Sequence, residues 1–286
     1  MLLSTVIVHY RTLATLPACL RAIAISSASL ETETVVVDNH SGDGVGEVLA
    51  RDFPHVRLLS NPGNFGYARA VNRGIAETSG EFVLVMNPDC TLDTRAVETL
   101  IGHLRAHPRA AIVGPRIVNP DGSLEYSARA FPDHLAFLFN RYSLLTRWFP
   151  GNPYSRRYLL TDWDHATVRD VDWLSGACLM VRREAVRQVG PMDERFFMFN
   201  EDVDWCRRMK LANWTVTYVP GAGAVHHVGA SRRRVAARVI VERHRGMIHY
   251  FHKHHPTNPL LTFLADTLIM VRAGVMLAHN AFRPRS

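Results

Sequence analysis

Five short segments carry residue types that could do chemistry. Asp38-Asn39-His40-Ser41-Gly42-Asp43-Gly44 places a carboxylate ahead of a tight polar turn. Such a group can accept a hydrogen bond from a nucleobase imide, or simply cap the next helix. In the stretch Asn61 to Gly74, Gly63 and Gly66 let a backbone approach a ligand closely. A helix starting there would favour an anion such as a diphosphate, although an ordinary turn into a helix reads equally well. The pattern is neither a Walker loop nor G-x-G-x-x-G, so ATP and dinucleotide readings lose support. Leu84-Val85-Met86-Asn87-Pro88-Asp89 ends an apolar run in a carboxylate that either holds a hard divalent ion through oxygen or closes a turn. Phe196 to Trp205 delivers the adjacent acids Glu201 and Asp202 to a helix start. There they are general-base material or capping groups. In Ala224 to Ser231, the doublet His226-His227 either completes a metal site with Asp89 or lies on the surface.

These groups need elements to position them. Apolar β-rich runs at Thr5–His9, Thr34–Val37, Val56–Leu59, Glu81–Met86 and Ala111–Ile117 predict strands. Helical spacing fills the gaps at Leu13–Ile25, Gly46–Phe53, Phe65–Thr78 and Thr94–His107. This alternation predicts an α/β fold with a mostly parallel sheet and helices on both faces. Ligands of such sheets bind beyond the carboxyl ends of the strands, where His9, Asp38 and Asp89 stand. Residues 120–170 are rich in aromatics and arginine and read as a loop-rich excursion with a short helix around Leu135–Trp148. Structure resumes at Val171–Val181, with helices at Arg183–Val189 and from about Glu201 to Leu211. Short strands are expected at Val216–Val219 and Ala224–His227, and one or two helices from about Arg234 onward.

Composition bounds the class. The chain has 286 residues, 47% hydrophobic and 21% charged, which excludes a mainly disordered chain and a polytopic membrane protein. Its four cysteines form no C-x-x-C pair, so neither a zinc knuckle nor a disulfide scaffold is indicated, and a reducing cytoplasmic compartment is expected. The formal charge of +7 is uneven. Residues 1–231 carry net −1 and residues 232–255 net +6. A basic tail on a near-neutral body points to nucleic acid, an anionic leaflet or a phosphate-bearing substrate, or to a merely solvated helix. Against nucleic acid, the body lacks positive charge and no aromatic-interleaved RNA motif occurs. No signal peptide is visible. Leu260–His279 is apolar but contains Asp266 and Arg272, each costing roughly 2.5–3.5 kcal/mol at a bilayer centre. A helix lying on the membrane, or packed on the domain, is therefore expected rather than a span.

In their order and separation the segments resemble the inverting glycosyltransferase family 2, of GT-A (Rossmann-like) fold, and within it the rhamnosyltransferase-like branch. The resemblance covers roughly residues 3–255 and rests on several pieces. These are Asp38-Asn39-x-Ser41-x-Asp43-Gly44, Asn64-Phe65-Gly66 with Asn72 and Gly74, Asn87-Pro88-Asp89, Ser175-Gly176-Ala177-Cys178, Glu201-Asp202-Val203-Asp204 and His226-x-x-Gly229-x-Ser231. It implies a glycosyltransferase domain at 1–231, with a nucleotide-sugar half at 1–118 and an acceptor and catalytic half at 119–231. Residues 232–286 then form a basic, amphipathic helical extension. It further implies that Val8, Tyr10 and Asp38 surround uracil or thymine, and that Gly66, Asn72, Asn87 and Asp89 belong to the donor site. Asp89 and His226 would hold Mg2+ or Mn2+. Asn87 replaces the earlier acid of the family's Asp-x-Asp-like signature and brings no charge. Trp173, Gly176 and Glu201 would face the acceptor, and Asp202 would be the catalytic base.

The implied reaction moves a sugar, best L-rhamnose from dTDP-rhamnose, to a lipid-linked or polysaccharide acceptor of the cell envelope. It would take place in the cytoplasm at the inner face of the membrane. Alternatives are UDP-galactofuranose or UDP-GlcNAc as donor, a basic-tail nucleic-acid-binding protein, or a catalytically dead sugar-nucleotide sensor. Oligomeric state is left open.

Overall fold

The structure, a computed structural model, describes residues 1–133, 148, 149, 151–227 and 237–281. The expected helix at Leu135–Trp148, Trp148 apart, lies outside the described residues, as do Gly229, Ser231 and the arginines 232–234.

The chain opens with β1 (Leu3–His9), α1 (Leu16–Ser26), β2 (Thr32–Asp38), α2 (Val45–Asp52) and β3 (Arg57–Ser60). It continues with α3 (Tyr67–Ala76), β4 (Phe82–Met86), the short β5 (Cys90–Leu92), α4 (Ala96–Ala106) and β6 (Ala110–Val118). After β7 (Ala128–Arg129) and α5 (Pro153–Leu159) come β8 (Arg169–Asp170), β9 (Trp173–Leu174) and β10 (Cys178–Arg182). The helices α6 (Arg183–Val189) and α7 (Glu201–Leu211) precede β11 (Thr215–His226), and α8 (Ala237–His254) and α9 (Pro259–Ala281) end the described chain.

The main sheet runs β3-β2-β1-β4-β10-β6-β11-β5, with β8 beside β11, and β7 pairs with β9 apart from it. β1 to β4 are mutually parallel, β10 is antiparallel to both β4 and β6, and β11 is parallel to β6. All seven residues of β1 are buried because helices cover both faces of the sheet. Alternate side chains go to opposite layers. Val6 and Val8 belong to the buried cluster that also holds residues of α3, α6, α7 and α8, whereas Leu3 and Ile7 belong to the one shared with α1, α2 and α4. Each such buried aliphatic side chain contributes on the order of 1.5–3 kcal/mol relative to exposure.

Three departures from the expected elements place the site. β5 has only three residues, too few for a periodic signal. The two expected strands after residue 215 form one strand, with a register shift between Val219 and Gly223. Pro220-Gly221 reads as a break in the sequence, but a bulge absorbs it. The antiparallel β10 also begins at the edge where β4 ends, with Cys178 opposite Met86, which lays Gly176 and Ala177 beside Asn87.

The division expected at 231 does not coincide with a gap in packing. Tyr250 and Phe251 of α8 and Ile269 of α9 belong to the same buried cluster as Val203 and Trp205 of α7.

Candidate active site

The C-terminal edge of the parallel strands collects most of the expected residues. Asn87 N–H donates to Ala177 O at 2.8 Å, and Gly176 N–H donates to Asp202 Oδ2 at 2.8 Å. The turn Ser175 to Ala177 therefore joins the β4 end to the start of α7, and Asp89 and Asp202 stand on the same edge with that turn between them. Tyr67 O–H donates to Gly176 O at 3.0 Å and steadies the turn from the α3 side.

Asp202 is half-buried at the first turn of α7, and its Oδ1 accepts from Val203 N–H at 2.8 Å. Burial raises its pKa above the ordinary value, and that outweighs the lowering by the two N–H bonds and by the charge of Arg129. Glu201 is buried, and its Oε2 has no hydrogen-bond partner among the described residues. Burial, then the charge of Asp202, pushes its pKa well above the carboxylate range, which favours the neutral acid. The two neighbours thus differ: Asp202 stays partly accessible, while Glu201, expected to face the acceptor, is buried.

His226 ends β11, where it pairs with Cys90 of β5. Its Nε2 lies 3.2 Å from Asp89 Oδ1 and its Nδ1 2.8 Å from Glu125 Oε2. Burial lowers its pKa, but the bonds to Asp89 and Glu125 raise it further, to about 9. Asp89, Cys90 and His226 each offer a ligand atom within 4.8 Å of the others. Burial keeps the Cys90 thiol protonated, so the usable set is one carboxylate oxygen and one imidazole nitrogen. Once Nε2 gives up the proton it shares with Asp89, that set would fit a hard divalent ion whose remaining positions would go to water and phosphate oxygens. Glu125, absent from the sequence-based candidates, fixes the ring so that Nε2 faces Asp89.

On the other flank, Asp38 ends β2 opposite His9, and its Oδ1 accepts from Ser41 N–H at 3.0 Å. Tyr10 is exposed, with the Arg11 guanidinium 5.4 Å from its ring centroid. Val8 points into the core, so only its backbone can meet a base. Asn39 stands in the first motif with no role assigned from sequence, and the structure gives it one. Its buried amide donates to Asn64 Oδ1 and Gly66 O, and its Oδ1 accepts from Asn61 Nδ2 at 3.0 Å and from Phe65 N–H. It thereby ties the 61–66 loop to the end of β2.

Three further expectations change. Asn72 exchanges bonds with Met192 N–H (2.9 Å) and Met192 O (2.8 Å) and also reaches Glu194. Facing inward on α3, it fastens the turn before Phe196 instead of facing a donor. Gly66 sits at φ +90°, and a Cβ there would come within 2.9 Å of Phe197 Cα. Its close approach is to the aromatic run, and the first N–H of α3, from Tyr67, is already donated to Phe197 O at 2.6 Å. The α3 start is therefore a joint within the protein and not an open diphosphate cradle. Trp173 is buried, its Nε1–H donates to Ala130 O at 2.8 Å, and Arg129 lies over its ring face, so it supports the site through Arg129 instead of facing an acceptor.

The family model of glycosyl transferase family 2 matches residues 4–190. The N-acetylglucosaminyl-diphospho-decaprenol L-rhamnosyltransferase of Mycobacterium tuberculosis is 36% identical over 279 residues, 91% of this chain and 90% of that protein. A mannosyltransferase of Pyrobaculum calidifontis, solved with GDP-Man and Mn2+, superposes with a TM-score of 0.60 at 16% identity, over 99% of this chain and 76% of that one. GalNAc-T7, solved with UDP, GalNAc and Mn2+, gives a TM-score of 0.60 at 16% identity, over 81% of this chain and 44% of that one. These two solved structures show the GT-A fold. With a family model over most of its length and a relative matched nearly end to end, the chain belongs to glycosyl transferase family 2, as a glycosyltransferase of the rhamnosyltransferase-like kind.

Proposed function

We propose that the protein transfers L-rhamnose from dTDP-rhamnose to the GlcNAc of a polyprenyl-diphosphate-linked acceptor in cell-envelope glycan assembly. The observation that carries this reading is the joining of the Asp89 loop to the Asp202 carboxylate through Gly176 and Ala177. The Mycobacterium tuberculosis relative supports the choice of sugar and acceptor by its name and its full-length match.

In this reading Asp38 accepts from the base of the nucleotide, and Asp89 with His226 would hold Mg2+ or Mn2+ beside the donor site. When bound, that ion offsets the charge that builds on the leaving nucleoside diphosphate. Asp202 accepts the proton of the acceptor hydroxyl as its oxygen attacks the anomeric carbon from the face opposite the leaving group. The C–O bond to the acceptor forms as the bond to the diphosphate breaks, and a single displacement inverts the centre. No second carboxylate is needed as a nucleophile, and Glu201 is buried where its ionised form is disfavoured.

The acceptor brings this enzyme to a membrane. Leu260, Phe263, Val271 and Val275 of α9 are all more than half exposed, and the helix is long and apolar enough by length and composition to cross a bilayer. Asp266 instead accepts from His252 of α8 at 2.8 Å, and Ile269 and Ala273 pack inward. We read α9 as a helix that rests in the headgroup layer on the cytoplasmic face.

The test is a panel of purified protein, Mn2+, a short GlcNAc-diphosphopolyprenol, and dTDP-rhamnose, UDP-galactofuranose or UDP-GlcNAc as donor. Transfer from dTDP-rhamnose alone is expected. Transfer from a UDP-sugar alone would reassign the donor, and no transfer from any would reject the reading.

A further inference from the structure

The proposed acceptor carries its reacting hydroxyl and its diphosphate on one sugar residue, so its anionic end must lie within one sugar's reach of Asp202. Arg129 lies on the strand pair that leads into the turn holding Asp202. It sits on β7 directly opposite Trp173 of β9, three residues before the Gly176 that binds Asp202. Its guanidinium carbon lies 4.9 Å from the Trp173 ring centroid and 5.8 Å from that of Tyr158. Its Nε–H donates to Tyr126 O at 2.5 Å.

Neighbouring cations are already committed. Lys210 is paired with Asp172 at 2.9 Å, and Arg207 donates to Tyr250 Oη and His254 O. Arg129, by contrast, has no ion-pair partner among the described residues. The acid that feels its charge is Asp202 itself.

A guanidinium clamped by two ring faces and one backbone carbonyl is preorganised, so it loses little freedom when it takes an anion. It is weakly hydrated, and its terminal N–H edges match two phosphate oxygens. We propose that Arg129 is the anion subsite of the acceptor, binding the diphosphate of a lipid-linked sugar while that sugar's hydroxyl faces Asp202. This deepens the acceptor reading above and rests on it. A diphosphate could also come from the donor, and the experiment separates the two.

Arg129→Gln and Arg129→Lys are compared with wild type on GlcNAc-diphosphopolyprenol and on an uncharged alkyl GlcNAc glycoside, with thermal melts to confirm folding. Affinity for the free donor nucleotide is measured by calorimetry with Mn2+. The expected result is a fall of about tenfold or more in the preference (ratio of kcat/KM) for the diphosphate acceptor in Arg129→Gln, from loss of a charge-assisted contact. Arg129→Lys should retain part of the preference. An unchanged ratio overturns the proposal, whether both acceptors suffer equally or neither does. A loss of nucleotide affinity as large as the loss of acceptor preference also overturns it, by assigning the anion to the donor. Wild type that fails to use the diphosphate acceptor at all rejects the acceptor reading itself. Wild type that uses it, with variants of unchanged preference, rejects the Arg129 subsite alone.

Discussion

At the residue scale, the chemistry depends on which carboxylates are open and which are spent. Asp202 keeps one oxygen on the Gly176 N–H and the other on Val203 N–H, while burial raises its pKa. A base whose pKa is raised holds its proton to higher pH, so kcat should rise with pH through a midpoint above the roughly 3.9 of a free aspartate. A pH profile at saturating substrates checks this, and full activity already reached at pH 4 would contradict it. Asp89 and Asp202 were legible in the sequence because each ends an apolar run in an acid. Glu125 was not, because its partner His226 lies 101 positions away and nothing local to either residue marks the pair. Glu125→Gln should weaken Mn2+-dependent nucleotide binding about 10–100-fold, the usual scale for a group that orients a metal-binding histidine. Titration of Mn2+ followed by electron paramagnetic resonance, with and without nucleotide, would show it; an unchanged curve would remove Glu125 from the site.

At the element scale, the aromatic run before α7 is a strap held from two sides. From α3, Tyr67 N–H bonds Phe197 O, and Gly66 permits that approach only because it lacks a Cβ. From α8, Arg238 lies over Phe197 at 4.2 Å, Arg243 over Phe199 at 4.3 Å, and His249 against Phe196 at 4.7 Å. Phe199 and Asn200 both take positive φ (69° each), a conformation that this packing must enforce. Below the strap, Asp204 accepts from His254, Lys253 and Arg208; burial opposes ionisation, yet these bonds hold its pKa down at about 2. Among the described residues, Arg238, Arg243 and Lys253 of the basic tail are therefore used inside the fold. Helix and strand order could be read in advance because the periodicities are clear. The strap's geometry could not, because it depends on contacts among α3, α7 and α8. Gly66→Ala should cost about 1–3 kcal/mol or more in a urea melt, since φ +90° with ψ 174° is open essentially to glycine alone. A melt indistinguishable from wild type would refute the close-approach argument.

At the scale of the whole molecule, an antiparallel strand set between parallel ones brings the two halves of the chain to one edge. β10 runs against β4 and places Gly176 beside Asn87, while β11 runs back along β5 and places His226 beside Cys90. The parallel half of the sheet was legible from strand–helix alternation. The crossing of β10 was not, since a short apolar run of four residues says nothing of direction. α9 leaves an apolar face outward at the far end of the chain from β1. Removing residues 256–286 should abolish co-sedimentation with anionic vesicles at low salt, and association equal to wild type would show that α9 is no anchor. The convergence of Asp89 and Asp202 on one reaction is tested most directly by Asp202→Asn, followed by single-turnover transfer alongside donor affinity. Donor affinity should stay within about twofold while the transfer rate falls about 10²-fold or more, the scale of a lost general base. A transfer rate close to wild type would contradict the account.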